Sequence, residues 1–317
     1  MFKRATITAV ITGLACSSGF AQSADETYVV PRTEYDQPDL QGVWSTQFNT
    51  MLERPLGLPL VLPREAAAGF AQALRAGAPD NIDPDIDSFG PPKLAVVKGE
   101  YRTSMIVYPE NGRLPFNELG AQTANYPYFK DDMDFDHPEQ RPGVERCLES
   151  WGFPPMRAFL YQSFHGIVQT ADKIAIVSED NLPLRVIHLN GQDWPAAIRT
   201  LQGHSVGHWE GDSLVVETTL FDGDNPARVT IERPVLLSGD ARVTERFTRV
   251  AENELFYQYT VDDPVYYTEP WRGEFSFTRE AGGHIYEYSC HEGNYSMIGG
   301  LRGARFEEAQ EAKTAGN

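Results

Sequence analysis

From about residue 156 to 304 the chain alternates apolar and polar positions in short runs, with turn residues every ten or so positions. "FHGIVQT", "KIAIVSED", "PLRVIHLNGQ", "HWEGDSLVVETTLF", "RPVLLSGDARVTERFTRV", "ENELFYQYTVDD", "GEFSFTRE" and "HIYEYSCHE" carry the period of two that places successive side chains on opposite faces of a strand. Asn-Gly, Glu-Gly, Gly-Asp and Glu-Asn steps between them are hairpin turns. With almost no helical pattern in between, this segment predicts an all-β fold: an antiparallel meander of roughly eight to ten strands closed into a barrel, with a β-sandwich as the alternative. Val243, Glu245, Phe247 and Arg249 share one strand face, and so do Leu255, Tyr257, Tyr259 and Val261. An interior mixing aromatics, a carboxylate and hydroxyls suits a small ligand, and equally a packed barrel with no cavity.

Residues 22–155 are rich in Pro, Gly and Asp and weakly periodic, which predicts an irregular segment packed on the barrel. One helix is expected in it, starting at Pro63, running over Glu65 to Arg75 and stopping at Gly77. "YRTSMIVYP" predicts one strand that ends in the turn Pro109-Glu110-Asn111-Gly112. Residues 305–317 are a polar tail.

The first 21 residues have a short basic start, an apolar run from Ala5 to about Cys16 and small residues to Ala21, the pattern of a cleaved secretory signal. No later run reaches the ~18 apolar residues of a membrane-spanning helix. The expected location is therefore periplasmic or secreted, with no integral membrane span. Cleavage removes Lys3 and Arg4, taking the basic residues from 27 to 25 against 45 acidic ones, a net charge of −20. Such a surface repels phosphate backbones, so nucleic acid is excluded as a partner. Only Cys147 and Cys290 outlast cleavage, and in an oxidising compartment they are expected to pair as a disulfide.

Gly203-His204-Ser205-Val206-Gly207 matches the G-x-S-x-G nucleophile elbow. An elbow needs a helix after the serine, and "VGHWEGDSLVVETT" offers a turn and β-branched residues instead. The stretch is the first strand of a hairpin with two registers open. If Glu210-Gly211 form the loop, His204 faces Glu217 and His208 faces Ser213; if Trp209-Glu210-Gly211 form it, His208 faces Asp212 and His204 faces Val216. Either way a histidine gains an acidic neighbour, which favours its charged form and suits it to acid–base work near neutral pH. Read as structure alone, the pair is a solvent-facing contact.

The spacing His204-x-x-x-His208 is helical metal-ligand spacing on an expected strand, so no metal is expected. The acidic runs Asp83–Asp87 and Asp132–Asp136 lack the glycine and closing glutamate of a calcium loop. No phosphate-cradling or dinucleotide pattern appears, and no cofactor is expected. Tyr266, Tyr267 and Trp271 crowd a Pro-bounded loop that would rim or plug a barrel mouth.

"PDLQGVWS", "RPGVERCL" followed by "GFPP", "GHSVGHWEGDSLVVETT", "VTERFTRV", "TVDDPVYYTEPW" and "YSCHEGNY", in this order, resemble a group of exported bacterial proteins of uncharacterised function, over about residues 38–295. The resemblance implies a shared fold and export and names no activity. The Trp-Glu-Gly-Asp-x-Leu-Val turn also resembles hairpins of calycin-type barrels such as lipocalins and fatty-acid-binding proteins.

The leading expectation is a calycin-like barrel that binds a small, apolar or aromatic organic molecule and performs a cofactor-independent acid–base step of lyase, hydratase, isomerase or hydrolase type. His204 or His208 would be the acid or base, oriented by Asp212, Glu217 or Glu245, with Tyr257, Tyr259, Tyr266 and Trp271 against the ligand. The rival expectation is a non-catalytic ligand-binding or surface-interaction protein of the same fold.

Overall fold

The computed structural model describes residues 28–76, 93–125, 135–159, 163–180, 184–191, 194–228, 230, 233–279 and 282–315. The expected signal segment and the acidic run Asp83–Asp87 lie outside them. In chain order the strands are β1 (Gly42–Ser45), β2 (Val61–Leu62), β3 (Val96–Val97), β4 (Glu100–Arg102), β5 (Ile106–Tyr108), β6 (Phe164–Gln169), β7 (Lys173–Ser178), β8 (Leu184–His188), β9 (His204–Glu210), β10 (Ser213–Thr219), β11 (Ala227–Arg228), β12 (Val235–Leu236), β13 (Arg242–Ala251), β14 (Glu254–Asp262) and β15 (Trp271–Arg279). The helices are α1 (Arg64–Ala76), α2 (Glu118–Ala124) and α3 (Tyr295–Ala315). Among the described residues no helix is long and apolar enough to cross a membrane.

Nine strands close into a barrel in the order β1-β6-β7-β8-β9-β10-β13-β14-β15, with β1 pairing both β6 and β15 so that no edge is left open. The barrel is mixed, not the all-antiparallel meander expected. β8 and β9 run parallel, Ile187 opposite Ser205 and His188 opposite Val206. Parallel neighbours need a crossover, and residues 189–203 supply it where a hairpin would force an antiparallel pair. The closing strand β1 comes from the irregular N-terminal segment. "YRTSMIVYP" splits into β4, which joins a small sheet with β2 and β3, and β5, which adds to β15. "HIYEYSCHE" forms no strand, and residues 305–315 of the expected tail are the end of α3.

Alternation along each strand sends the apolar side inward, so Trp44, Phe247, Tyr257, Tyr259, Trp271, Phe275 and Phe277 fill the centre with side chains almost wholly buried. Residues 150–158, the "GFPP" region, enter this core. The Met156 amide donates to the Tyr257 hydroxyl at 2.8 Å, and Met156 is 1 % exposed. Gly152 is required there, because a Cβ would lie 1.9 Å from Ser178 Oγ. Asp180, just past β7, holds the same segment by accepting from Ser150 Oγ at 3.0 Å and the Trp151 amide at 2.5 Å.

Candidate functional site

The hairpin around Gly211 takes neither expected register. Gly211 and Asp212 form the two-residue loop, so Glu210 faces Ser213, His208 faces Val215 and His204 faces Thr219. Gly211 alone has a positive φ, +61°, at the first loop position, where a type II′ hairpin turn places its glycine. Ser205, Gly207 and Trp209 therefore face inward, while His204, Val206, His208 and Glu210 face outward. The glycines of the G-x-S-x-G match have packing reasons. Gly203 has φ +67° and lies where a Cβ would come within 2.6 Å of the Thr219 carbonyl oxygen; a Cβ on Gly207 would meet Ile187 Cγ2 at 2.8 Å.

The five residues expected to act together are dispersed. His208 Nε2 lies 3.1 Å from Glu210 Oε1, an exposed pair along one strand and not across two. Asp212 pairs with Arg32 at 2.7 Å, and Glu217 pairs with Arg242, both at the surface. His204 is half-buried against Trp194, with ring centroids 4.9 Å apart, and against His188 at 5.2 Å. Glu245 alone of the five faces the interior, as alternation on its strand requires.

There Glu245 is fully buried and committed. Arg185 donates to both its oxygens, from Nη1 to Oε1 at 3.0 Å and from Nη2 to Oε2. The Tyr257 hydroxyl donates to Oε1 at 2.8 Å, and burial, reinforced by the Glu245 charge, pushes that phenol well above its ordinary range. Ser205 Oγ accepts from Arg185 Nε at 3.2 Å and shares a hydrogen bond with Thr218 Oγ1 at 2.8 Å. Ser205 is thus a ligand of a buried guanidinium. Nearby, His165 Nδ1 lies 2.8 Å from Ser178 Oγ and Nε2 3.3 Å from Thr46 Oγ1, and complete burial lowers its pKa to about 3. Tyr257 and Tyr259 are interior side chains, Tyr267 and Trp271 are buried rather than on a rim, and Tyr266 is half-buried. Tyr259 lies over Gly273, its cross-strand partner, and meets Trp271 edge-on.

A different place is open. A cavity of about 200 Å³ lies between residues 139–149, which hold the "RPGVERCL" motif, and residues 224–228, 230 and 234. Pro142, Leu148, Leu201, Pro226, Ala227 and Pro234 give it apolar walls, and Arg141, Glu149 and Arg228 are its buried charges. Arg141 donates from Nε and Nη2 to Glu145 Oε2 at 2.9 and 2.7 Å and lies over the Phe135 ring. Gly143 makes room for Glu149, because a Cβ there would come within 2.9 Å of Glu149 Oε1. Glu149 in turn accepts from Arg157 Nη1 at 3.0 Å. Arg228 donates from Nη2 to the Leu201 carbonyl at 2.8 Å and from Nη1 to the Asn225 and Ala227 carbonyls. Burial lowers the pKa of Arg228 to about 10. Arg146 Nη1 reaches Asn225 Oδ1 at 3.0 Å and ties the two walls together.

Compared with protein-family models, curated proteins and solved structures, the chain matches none.

The disulfide Cys147–Cys290 is formed as expected, Cα–Cα 5.8 Å. It fastens the residue before Leu148 to the chain leading into α3, and so fixes one wall of the cavity. Sequence reasoning missed Arg141, Glu149, Arg157 and Arg228. Arg141, Glu149 and Arg157 sit in irregular chain and Arg228 in a two-residue strand, too short for a period to mark an inward position. Of the second acidic run, Asp136 bonds Arg305 Nη2 at 3.2 Å, and Asp132 and Asp134 lie outside the described residues.

Proposed function

We propose that this is an exported β-barrel protein that binds a small, largely apolar organic molecule in the cavity between residues 139–149 and residues 224–228, 230 and 234. The cavity itself carries the reading: apolar walls with a few convergent polar groups are the usual make-up of a small-molecule site, and about 200 Å³ suits a ligand smaller than the drug-sized molecules of ~300–1,000 Å³ sites. Export is supported by the leader pattern and by the disulfide, which is maintained in oxidising compartments. The acid–base chemistry expected of His204 and His208 has less support than binding, because His208 is engaged with Glu210 at the surface and Glu245 with Arg185 and Tyr257 in the core.

The test is a screen of the mature protein against small aromatic compounds, neutral and charged, by thermal shift and ligand-observed NMR. At least one compound is expected to bind the wild type and to weaken at least tenfold in Leu148→Trp and Ala227→Leu, which fill the cavity, provided both keep the wild-type circular dichroism. No binder, or equal binding by the filled variants, overturns the reading.

A further inference from the structure

Five arginines are buried among the described residues: Arg141, Arg157, Arg185, Arg228 and Arg249. Four have a carboxylate within ion-pair distance. Arg185 has Glu245; Arg157 has Glu149 at 3.0 Å; Arg141 has Glu145 at 2.7 Å; Arg249 has Asp39 at 3.6 Å. Arg228, 1 % exposed, is the exception: among the described residues its guanidinium donates only to carbonyl oxygens. Glu149 and Asp222 reach it only through space, and Arg157 opposes them. A buried cation is costly unless a counter-charge and hydrogen bonds compensate it. This one has carbonyl hydrogen bonds but no carboxylate in contact among the described residues, in a chain where acidic residues outnumber basic ones by 18, so counter-charge is not scarce in the molecule. Among the described buried arginines the direct counter-charge is missing at one, and that one lines a cavity. Two further donors on residues that line the cavity have no hydrogen-bond partner among the described residues, Arg228 Nε and Arg141 Nη1.

Resting on the cavity as a ligand site, we infer that its ligand is an organic anion, a small carboxylate-bearing molecule whose charge lies toward Arg228 and Arg141 and whose apolar part lies against the proline and leucine walls. The low local dielectric makes the attraction stronger than at a surface. The other described carboxylates of the wall do not cancel it. Glu149 is paired with Arg157, and Glu139 and Asp224 are exposed, where water screens them. A cationic ligand would face two buried guanidinium groups, and a neutral one would leave Arg228 as it is.

Matched carboxylate and carboxamide probes separate charge from shape: benzoate against benzamide, and cinnamate against cinnamamide. Titrated calorimetrically into the mature wild-type protein at neutral pH, the carboxylate of at least one pair is expected to bind at least tenfold more tightly than its amide. The preference is expected to shrink in Arg228→Gln and Arg141→Gln. Arg228→Gln also removes three carbonyl contacts and can fail to fold, so the comparison within the wild type and the loss of carboxylate binding in Leu148→Trp decide the matter without it. An amide that binds as tightly as its acid overturns the anion inference and leaves the cavity reading standing. If no member of either pair, and no compound of the wider screen, binds the wild type, both fail together. A carboxylate preference unchanged in the folded Arg141→Gln and Leu148→Trp variants places the charge elsewhere and also overturns the inference.

Discussion

A carboxylate on the apolar face of a strand is tolerated when its lone pairs are taken up, and Glu245 meets that condition through Arg185 and Tyr257. Arg185 is satisfied in turn by Glu245, Ser205 and Thr218. Removing one charge leaves the other buried and unpaired, so Glu245→Gln is expected to cost about 3–5 kcal/mol of stability. Ser205→Ala removes one acceptor from a charged donor and is expected to cost about 1–3 kcal/mol while leaving ligand binding intact. Arg185→Met with Glu245→Leu should lose much less than the two single changes summed, since nothing charged remains inside. Urea unfolding measures all of these, and a Ser205→Ala protein that is fully stable yet cannot bind ligand would contradict the structural role. At this scale the alternation in β13 showed Glu245 facing inward. Its partner Arg185 was not legible, because β8 and β13 are not neighbours and no local pattern relates them.

Hairpin geometry turns on which residues occupy the loop, and a shift of one position there moved every cross-strand partner of His204 and His208. Two glycines of this hairpin have a positive φ, with different consequences. At Gly211 a Cβ meets nothing within 4 Å, so Gly211→Ala bears only the cost of a left-handed backbone, about 1 kcal/mol. At Gly203 the same backbone cost is joined by a clash with the Thr219 carbonyl, which is main chain and cannot step aside. Gly203→Ala is therefore expected to lower the urea midpoint clearly more than Gly211→Ala, and equal midpoints would refute the close approach. Other elements escaped pattern reading for physical reasons. Helix α3 contains Gly299, Gly300 and Gly303 and leaves Tyr295, Ile298 and Phe306 exposed, so neither propensity nor an apolar stripe announces it. The run at 284–292 has the alternation of a strand and finds no neighbouring edge, the barrel being already closed by β1.

For the whole molecule, alternation pointed to an all-β barrel with a sandwich as the alternative, whereas the strand that closes the barrel and the segment that enters its core pair with chain more than a hundred residues away and left no local mark. That inserted segment is also where stability becomes pH-dependent. Gly152 packs on Ser178, which bonds His165, and Ser150 and Trp151 bond Asp180. Burial moves the two titrating groups in opposite senses: His165 falls from 6.5 to about 3, and Asp180 rises from 3.8 to about 7. For His165 the unfolded chain binds the proton first as pH falls, so its contribution is present above pH 6.5 and is lost between there and about 3. For Asp180 the folded chain holds the proton longer, so stability falls as pH rises from 3.8 to about 7. Each slope approaches ~1.4 kcal/mol per pH unit. Between about pH 4 and 6.5 they oppose each other, and wild-type stability is expected to change little there on their account. The variants separate them. His165→Gln should become less stable as pH rises from about 4 to 7, and Asp180→Asn should become more stable as pH rises to 6.5. The repulsion of a chain with net charge −18 is nearly common to all three proteins, so it drops out when urea midpoints of each variant are compared with wild type at the same pH. Three parallel pH profiles would mean that neither group titrates across the folding transition, and that the grip of the inserted segment on the barrel wall is independent of pH.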